Sequence, residues 1–189
     1  MRVIAGAMKG RRLVAPRGRA TRPTADQVRI ALMDTLTPWL PGARMLDLFA
    51  GAGSVGLEAL SRGAAQVTFV ERDARAFAAL EQNVKTLGLD AVARRLRLDV
   101  DRALARLAAE GARFEIVFLD PPYEPDLVTA TLERLGEGAV VAAGALVIAQ
   151  HFTKRPPPES VGALAAFRAR RFGETTLTFF RAGEYSAAR

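Results

Sequence analysis

Beginning at Arg44, short apolar segments alternate with longer amphipathic segments along most of the chain. The apolar segments have the length and composition of strands, and the segments between them repeat their apolar residues at helical spacing. Strands that alternate with helices form parallel sheets, because each helix carries the chain back to start the next strand in the same direction. The sequence therefore predicts an α/β fold, in which helices cover both faces of a mostly parallel sheet.

The pattern predicts a sheet of seven strands. Five of them form its parallel part and lie at residues 44–49, 66–71, 92–99, 114–120 and 144–150. The other two form an antiparallel pair within residues 167–182, on either side of a turn at Gly173.

Upstream of these strands, residues 2–6 and 11–16 predict a small hairpin, and residues 26–36 predict a helix. This part of the chain differs in charge from the part that follows it. We therefore expect a basic N-terminal extension, residues 1–40, in front of a main domain, residues 41–189.

The composition excludes several kinds of site. With no cysteine among its 189 residues, the chain has no disulfide, no cysteine nucleophile and no cysteine-ligated metal. No apolar run approaches the ~20 residues that a membrane-spanning helix needs, and the start of the chain lacks the apolar core of a secretory signal. We therefore expect a cytoplasmic protein without a metal ion, and take a monomer as the default.

The excess positive charge of the chain lies near its start. The net charge is +7, from 27 basic and 20 acidic side chains. Residues 1–30 hold eight basic side chains against the single acid Asp26, so the remainder of the chain is neutral overall. Clustered lysines and arginines neutralise phosphates and release counterions, which favours a nucleic acid as the partner. A basic segment that only solubilises the protein is the alternative.

A glycine-rich turn follows the first strand of the predicted sheet. The sequence Gly51-Ala-Gly53-Ser-Val-Gly56 matches the GxGxxG pattern of strand-to-helix turns that bind nucleotides. At Gly51 and Gly53 the missing side chains would let the backbone approach a ligand closely. The pattern alone leaves the ligand open, because several classes of cofactor use such a turn.

Two carboxylates flank this turn. Glu71 ends the second strand twenty residues after Gly51, where an acid binds ribose hydroxyls in dinucleotide and nucleoside sites alike. Asp47 lies on the first strand just before the turn, where its charge would repel a pyrophosphate and attract a cation. S-adenosylmethionine, which carries a sulfonium and an ammonium group and no phosphate, fits these charges better than NAD.

Residues 46–60, LDLFAGAGSVGLEAL, resemble motif I of the Rossmann-like S-adenosylmethionine-dependent methyltransferases. The resemblance implies that Asp47 binds the ammonium group of the cofactor and that Glu71 binds both ribose hydroxyls. It assigns Asp99 to the adenine, with a helix N-cap as the alternative role and Asp101 as a competing residue. The cofactor-binding residues are therefore expected to be Asp47, Phe49, Ala50, Gly51, Gly53, Glu71, Arg72 and Asp99.

Asp120-Pro121-Pro122-Tyr123 follows the strand at residues 114–120. Consecutive prolines often do no more than end a strand and start a turn. This tetrapeptide, however, resembles the Asp/Asn-Pro-Pro-Tyr/Phe motif of enzymes that methylate exocyclic amines of nucleic-acid bases. These four residues are therefore the predicted catalytic residues.

The chemistry of a base amine explains these residue types. Its lone pair is delocalised into the ring, which makes the nitrogen a weak nucleophile. Hydrogen bonds from the two N–H groups to Asp120 and to the Pro121 carbonyl would direct the lone pair toward a methyl donor. The proline rings would keep the turn rigid, and Tyr123 would stack on the base. The base must be unpaired or flipped out to reach this site.

Over nearly its full length the chain resembles the RsmD family of bacterial 16S ribosomal RNA guanine-N2 methyltransferases. The most distinguishing segments are GRRL at residues 10–13 and ATRPTADQVRIAL at residues 20–32. The resemblance implies methylation of a guanine N2 amine in ribosomal RNA, alone or within a small-subunit particle. The residues that it assigns to RNA binding are Arg11, Arg12, Arg17, Arg19, Arg22, Thr24 and Arg29.

Three other functions stay open at this point. The same tetrapeptide could methylate an adenine N6 amine in DNA or RNA, and a non-catalytic RNA-binding assembly factor could keep the fold. An NAD(P)-dependent oxidoreductase is disfavoured, because neither Tyr123 nor Tyr185 is followed four residues later by the lysine of short-chain reductases. We expect His151, the single histidine, to be structural or exposed and Trp39 to pack a helix end.

Overall fold

The computed structural model describes residues 1–15, 23–122, 124 and 126–183, with the backbone alone for residues 23–25. Within them the chain forms five helices and eight strands. The helices are α1 (Pro23–Leu36), α2 (Ser54–Ser61), α3 (Ala74–Leu87), α4 (Val100–Ala109) and α5 (Leu127–Gly136). The strands are β1 (Arg44–Leu48), β2 (Gln66–Val70), β3 (Ala93–Leu96), β4 (Phe114–Leu119), β5 (Val141–Phe152), β6 (Ser160–Val161), β7 (Leu164–Phe172) and β8 (Thr175–Ala182).

These strands belong to one sheet in the order β3-β2-β1-β4-β5-β8-β7-β6. The first five strands along the chain run parallel, and β8, β7 and β6 add to the β5 edge in antiparallel pairs. The chain moves outward from β1 to β3 and then returns to the other side of β1 for β4 and β5. The strand order therefore reverses between β1 and β4, and sheets of this type bind ligands beyond the strand carboxyl ends at that point.

The α/β prediction is confirmed, although the sheet has more strands than the predicted seven. The additional strand, β6, pairs its two residues with Leu164 and Ala165 of β7. Two residues are too few to show the alternation from which strands are predicted. β5 also begins earlier than predicted, at Val141, because two valines precede the glycine with which the predicted strand starts.

Helices cover both faces of the sheet, as predicted. On one face, α1, α2 and α3 contribute buried side chains such as Leu32, Leu57 and Leu80. On the other face, α4 and α5 contribute Leu107 and Leu132. Both clusters reach the sheet because neighbouring residues of a strand point to opposite faces. No helix in the described part of the chain is long and apolar enough to span a membrane.

The first residues form the predicted hairpin in a reduced form. A single antiparallel bridge joins Arg2 to Arg12, and the Val3 N–H donates to the Arg11 carbonyl at 3.0 Å. Val3 and Leu13 are buried in the same apolar cluster as α1 and α2. The hairpin therefore packs on the main domain, and a boundary near residue 40 stays a prediction.

Glu58, a fully buried residue of α2, anchors this hairpin. Its carboxylate accepts hydrogen bonds from the Ile4 N–H at 2.7 Å, the Ala5 N–H at 2.9 Å and Arg62 Nε at 3.0 Å. The Ser61 hydroxyl adds a hydrogen bond to the Ala5 carbonyl at 2.6 Å. A buried charge is tolerated here because both of its oxygens have donors.

We expect Glu58→Gln to lower the free energy of unfolding by about 2–4 kcal/mol, because one carboxylate oxygen is replaced by a donor that faces another donor. Urea unfolding followed by circular dichroism measures this change. The matched control is Glu81→Gln on α3, whose side chain is exposed and makes no hydrogen bond within the described ranges. Equal unfolding midpoints for the two variants would contradict the anchoring role of Glu58.

Candidate active site

Three acidic side chains converge at the carboxyl ends of neighbouring strands. Asp47 is the fourth residue of β1, Glu71 follows β2, and Asp120 follows β4. Leu48 at the end of β1 pairs with the last residue of both neighbouring strands, so the three ends lie side by side. The charges of Glu71 and Asp120 both act on Asp47. The acids therefore share one site, at the reversal of strand order.

Asp47 is the most buried of these acids, with 1% of its surface exposed. Burial, with smaller contributions from the charges of Asp120 and Glu71, raises the pKa of Asp47 to about 7, although a 3.0 Å hydrogen bond from the Gly56 N–H lowers it. A cation bound nearby would stabilise the ionised carboxylate. The described residues contain no group of three acids and histidines arranged to hold a metal ion.

The turn between β1 and α2 uses backbone conformations with positive φ. Phe49, Gly51 and Gly53 have φ angles of +61°, +58° and +82°. An added Cβ at Gly51 would meet no atom within 4 Å, so this residue faces open space that a ligand can enter. An added Cβ at Gly53 would overlap a methyl group of Leu80. The reason for glycine at residue 53 is therefore close packing against α3, and not the expected room for a ligand.

Glu71 holds this turn in place. Its Oε2 accepts from the Gly51 N–H at 2.8 Å, and its Oε1 accepts from the Asp73 N–H at 2.7 Å. Each oxygen retains a lone pair, so the carboxylate can still accept from two hydroxyl groups. The spacing along the sequence predicted a ligand-binding acid but not this contact, which exists because β1 and β2 are neighbours.

A cavity of about 120 Å³ lies beside the turn. Its lining includes Phe49, Val70, Arg72, Leu98, Asp99 and Asp101. Asp99 Oδ1 accepts from the Arg102 N–H at 2.9 Å, so Asp99 is the N-cap of α4, the alternative role considered for it. Asp99 and Asp101 both line the cavity, and its apolar walls with an acidic edge suit a flat heteroaromatic ring.

The Asp120-Pro121-Pro122 turn lines a larger cavity of about 350 Å³, within the usual size range of small-ligand sites. The Asp120 N–H lies 3.5 Å from the Leu48 carbonyl, which extends the β1–β4 ladder to the edge of this cavity. The Glu124 N–H donates to the Pro122 carbonyl at 2.6 Å and closes the turn. Tyr123, the fourth predicted catalytic residue, lies outside the described residues.

Residues at and after the end of β5 complete the larger cavity. Gln150, Phe152 and Arg155 line it. They were not among the predicted site residues, because only their position at or after the end of a predicted strand would have indicated them. β5 runs parallel to β4 and in register with it, which brings Gln150 beside Asp120.

His151 lines the same cavity, but its imidazole is occupied within the protein. Nδ1 donates to the Phe152 carbonyl at 2.8 Å, and Nε2 accepts from the Thr178 hydroxyl at 2.8 Å. The carbonyl can only accept, which assigns the proton to Nδ1. Burial lowers the pKa of His151 and favours the neutral ring. These contacts support the predicted structural role.

The basic residues predicted to bind RNA differ in their surroundings. Arg11 and Arg12 are exposed, and Arg11 donates to the Thr86 carbonyl at 3.0 Å. The structure therefore leaves both guanidinium groups accessible to solvent. The predicted contacts that lie outside the described residues are Arg17, Arg19, Arg22 and the side chain of Thr24.

Arg29 is buried, with 5% of its surface exposed, so the prediction that it contacts RNA is wrong. Its Nη2 donates to the Arg2 carbonyl and to Asp26 at 3.0 Å each. Arg29 precedes the buried residues Leu32 and Met33 by three and four positions, which places it on the inward face of α1. Arg29 therefore ties the hairpin to α1.

Comparison with known proteins gives consistent matches over almost the whole chain. The family model described as conserved hypothetical protein 95 matches residues 1–181. The YlbH protein of Bacillus subtilis (strain 168) is 39% identical over 181 residues, which cover 96% of this chain and 98% of that protein. Ribosomal RNA small subunit methyltransferase D of Escherichia coli (strain K12) is 39% identical over 147 residues, which cover 78% of this chain and 72% of that protein.

A solved structure agrees with these matches. The yhhF protein of Escherichia coli superposes with a TM-score of 0.84 at 34% identity, covering 97% of this chain and 98% of that chain. The predicted fold class and the predicted relationship to the RsmD family are thereby confirmed. The chain belongs to the conserved hypothetical protein 95 family and is a relative of ribosomal RNA small subunit methyltransferase D.

Proposed function

We propose that this protein transfers a methyl group from S-adenosylmethionine to the exocyclic N2 amine of a guanine in small-subunit ribosomal RNA. The observation that carries the proposal is the position of the Asp120-Pro121-Pro122 turn. It lines a cavity of nucleobase-binding size beside a carboxylate cluster, where the strand order of the sheet reverses. The RNA substrate and the reaction class in this proposal come from the name of a relative of the chain, ribosomal RNA small subunit methyltransferase D.

The residues around the glycine turn fit the methionine and ribose parts of this cofactor. Asp47, in its cluster of negative charges, would bind the ammonium group and thereby be stabilised in its ionised form. Glu71 has acceptor capacity left for both ribose hydroxyls, and Gly51 faces open space. When bound, the cofactor supplies a methyl group on a positively charged sulfur.

The adenine would occupy the 120 Å³ cavity. Phe49 and Val70 supply apolar contact, while Asp99 or Asp101 would accept a hydrogen bond from the adenine amine. Arg72 lies at the same cavity and pairs with Glu124 at 3.2 Å. This ion pair links the edge of the cofactor site to the loop that follows the Pro-Pro turn.

Asp120 and the Pro121 carbonyl would act on the guanine. Both are acceptors, so they match the two N–H groups of an exocyclic amine. Accepting a hydrogen bond from each N–H group would draw the nitrogen toward tetrahedral geometry, so that its lone pair is no longer shared with the ring and can attack a methyl group. One amine proton would leave as the N–C bond forms. The prolines fix the backbone that carries the carbonyl, so catalysis relies on positioning and electrostatics without a covalent enzyme intermediate.

Labelled methyl transfer tests the proposal. Purified protein is incubated with methyl-tritiated S-adenosylmethionine and small-subunit ribosomal RNA, both protein-free and in assembled particles, and the RNA is digested to nucleosides. We expect the label in N2-methylguanosine. Label in N6-methyladenosine would identify the adenine alternative, and no label with either substrate would support the assembly-factor alternative.

We expect the double replacement of Arg11 and Arg12 by alanine to weaken RNA binding and to reduce its salt slope by about 1.5, because each lost phosphate contact removes about 0.7–0.9. Cofactor affinity should not change. Fluorescence polarisation of labelled RNA at several salt concentrations measures the RNA affinity and its salt slope. Arg94→Ala with Arg106→Ala removes the same charge on the α4 side, and an equal loss in that control would count against an N-terminal RNA surface.

A further inference from the structure

Arg181, near the end of β8, lies between two exposed aromatic rings. Its guanidinium carbon is 4.5 Å from the centre of the Trp39 ring and 5.5 Å from the centre of the Phe167 ring. Trp39 has 46% and Phe167 has 54% of its surface exposed. Trp39 lies just after the end of α1, as predicted, but it is not fully packed there, because nearly half of its residue surface is exposed. Exposed aromatic groups of this kind commonly mark a binding surface.

The segment that contributes Phe167 and Arg181 is basic. Between residues 160 and 183 the sequence contains four arginines and one acid, Glu174. Arg168 is exposed and makes no side-chain hydrogen bond or ion pair within the part of the chain that the structure describes. Arg170 lies 5.6 Å from a third ring, that of Phe172. We call this group the aromatic–arginine strip: Trp39, Phe167, Arg168, Arg170, Phe172 and Arg181.

The rings of Trp39 and Phe167 lie far from the larger cavity. Thr175, at the start of β8, lines that cavity, and Arg181 is six residues further along the same strand. At about 3.4 Å per residue, the two positions are roughly 20 Å apart. Phe179 packs in the α1 side of the core, so Arg181, two residues later, lies on that same face.

We propose that the aromatic–arginine strip binds a single-stranded segment of the substrate RNA. Unpaired bases stack on the outer faces of Trp39 and Phe167, and phosphates pair with Arg168. Exposed rings beside guanidinium groups are the combination that single-stranded nucleic acids require, since every base offers a π-face and every linkage a charge. The excess of arginines over acids favours RNA over an apolar protein partner.

Arg181 has a supporting role in this surface. Its Nη1 donates to the Gly144 carbonyl at 3.0 Å, which fixes the guanidinium between the two rings. Both aromatic residues keep about half of their surface exposed beside this guanidinium. The inference rests on RNA as the substrate in the proposed function, but it does not depend on methyl transfer.

Tryptophan fluorescence tests the strip directly, because Trp39 is the single tryptophan of the chain. A mixed-sequence single-stranded RNA of about 20 nucleotides, longer than the site of one binding module, is titrated into the full chain at low salt. Binding is followed in parallel by polarisation of the labelled RNA. We expect Trp39 emission to be quenched with the same midpoint as the polarisation change.

Variants separate stacking from charge. Phe167→Ala should weaken RNA binding about tenfold, as expected for the loss of one stacked base, and Trp39→Phe should keep the affinity while removing the signal. Arg168→Ala should lower the salt slope, whereas Arg95→Ala, which removes an arginine paired with Asp90, should not.

Each alternative has a distinct outcome. RNA binding by polarisation without a change in Trp39 emission overturns the proposal and leaves the proposed function intact. If RNA quenches Trp39 emission but the protein transfers no methyl group, the proposed function is refuted and the proposed role of the strip in RNA binding is supported. Emission that changes with protein concentration alone, or only with protein-containing small-subunit particles, assigns the strip to a second copy or to a ribosomal protein and overturns the proposal.

Discussion

Asp120→Ala is expected to slow methyl transfer by about 100–1,000-fold or more, as is typical when one charge-stabilising group is removed from an active site. Alanine has no atom that can accept a hydrogen bond. The Pro121 carbonyl would then be left to accept from one N–H group of the base amine, and the other N–H group would lose its partner. Because Asp120 lines the larger cavity, whereas Asp47 and Glu71 are the acids expected to hold the cofactor, cofactor affinity should change much less.

Single-turnover transfer of labelled methyl groups measures the rate of methyl transfer, and calorimetric titration with S-adenosylhomocysteine measures the cofactor affinity. Asp34→Ala on α1 is the control, since it makes the same chemical change at an exposed residue on another part of the surface. Full activity of Asp120→Ala would remove this residue from the mechanism. A parallel loss of cofactor affinity would place Asp120 in the cofactor site instead.

Asp47→Asn is expected to act in opposite directions on stability and on binding. The pKa of Asp47 is about 7 in the folded protein, against an ordinary value of 3.8. Between those values the folded state binds more protons than the unfolded state, so the stability contributed by this group falls as the pH rises from about 4 to about 7. At higher pH the ionised group destabilises the folded protein by an amount on the order of 4 kcal/mol.

The variant avoids that cost, so Asp47→Asn should unfold at a higher denaturant concentration than the wild type at about pH 8, with a smaller difference at about pH 5. It should also lose most of its affinity for S-adenosylhomocysteine, whose ammonium group no longer has an anionic partner. In the wild type this affinity should rise with pH up to about 7 and then level off, because binding requires the ionised carboxylate.

Calorimetry and urea unfolding across this pH range measure both effects. A wild-type affinity that does not depend on pH would contradict the role of Asp47 as the partner of a cation. An Asp47→Asn variant that is less stable than the wild type at high pH would contradict the conclusion that burial of the ionised carboxylate destabilises the folded protein.

The parts of the site that depend on the ends of parallel strands could be predicted from the sequence. The acids Asp47, Glu71 and Asp120 each lie at or just after a strong apolar segment, and a parallel sheet brings such positions to one edge. The structure adds their mutual electrostatic effect, and the contact of Glu71 with Gly51. Both depend on the distance between strands, which a linear pattern does not contain.

Arg29 shows a limit of assigning RNA contacts to a whole basic segment from a family resemblance. It was grouped with the basic residues of the N-terminal extension, although its spacing from Leu32 and Met33 indicates the buried face of α1. Helical periodicity would have separated it from Arg11 and Arg12. At this residue the helical spacing was informative, and the role implied by the resemblance was wrong.

The contacts of Trp39 and Phe167 could not be predicted, because they join distant parts of the chain. Trp39 follows α1, while Arg181 lies 142 positions later on β8. Trp39 and Arg181 meet because β8 lies between β5 and β7 in the sheet, and Arg181 is on the face that α1 covers. The antiparallel pair β7–β8 could be predicted from the turn at Gly173, but its position beside β5 could not.

A crystal structure with both S-adenosylhomocysteine and guanosine bound is the most direct measurement. We predict that the ammonium group of the cofactor product lies beside Asp47 and that its ribose hydroxyls contact Glu71. The guanosine N2 amine should lie within hydrogen-bonding distance of Asp120, with the sulfur atom on the other side of the amine. A nucleoside bound elsewhere, or an Asp120 carboxylate turned away from the sulfur, would contradict the proposed chemistry.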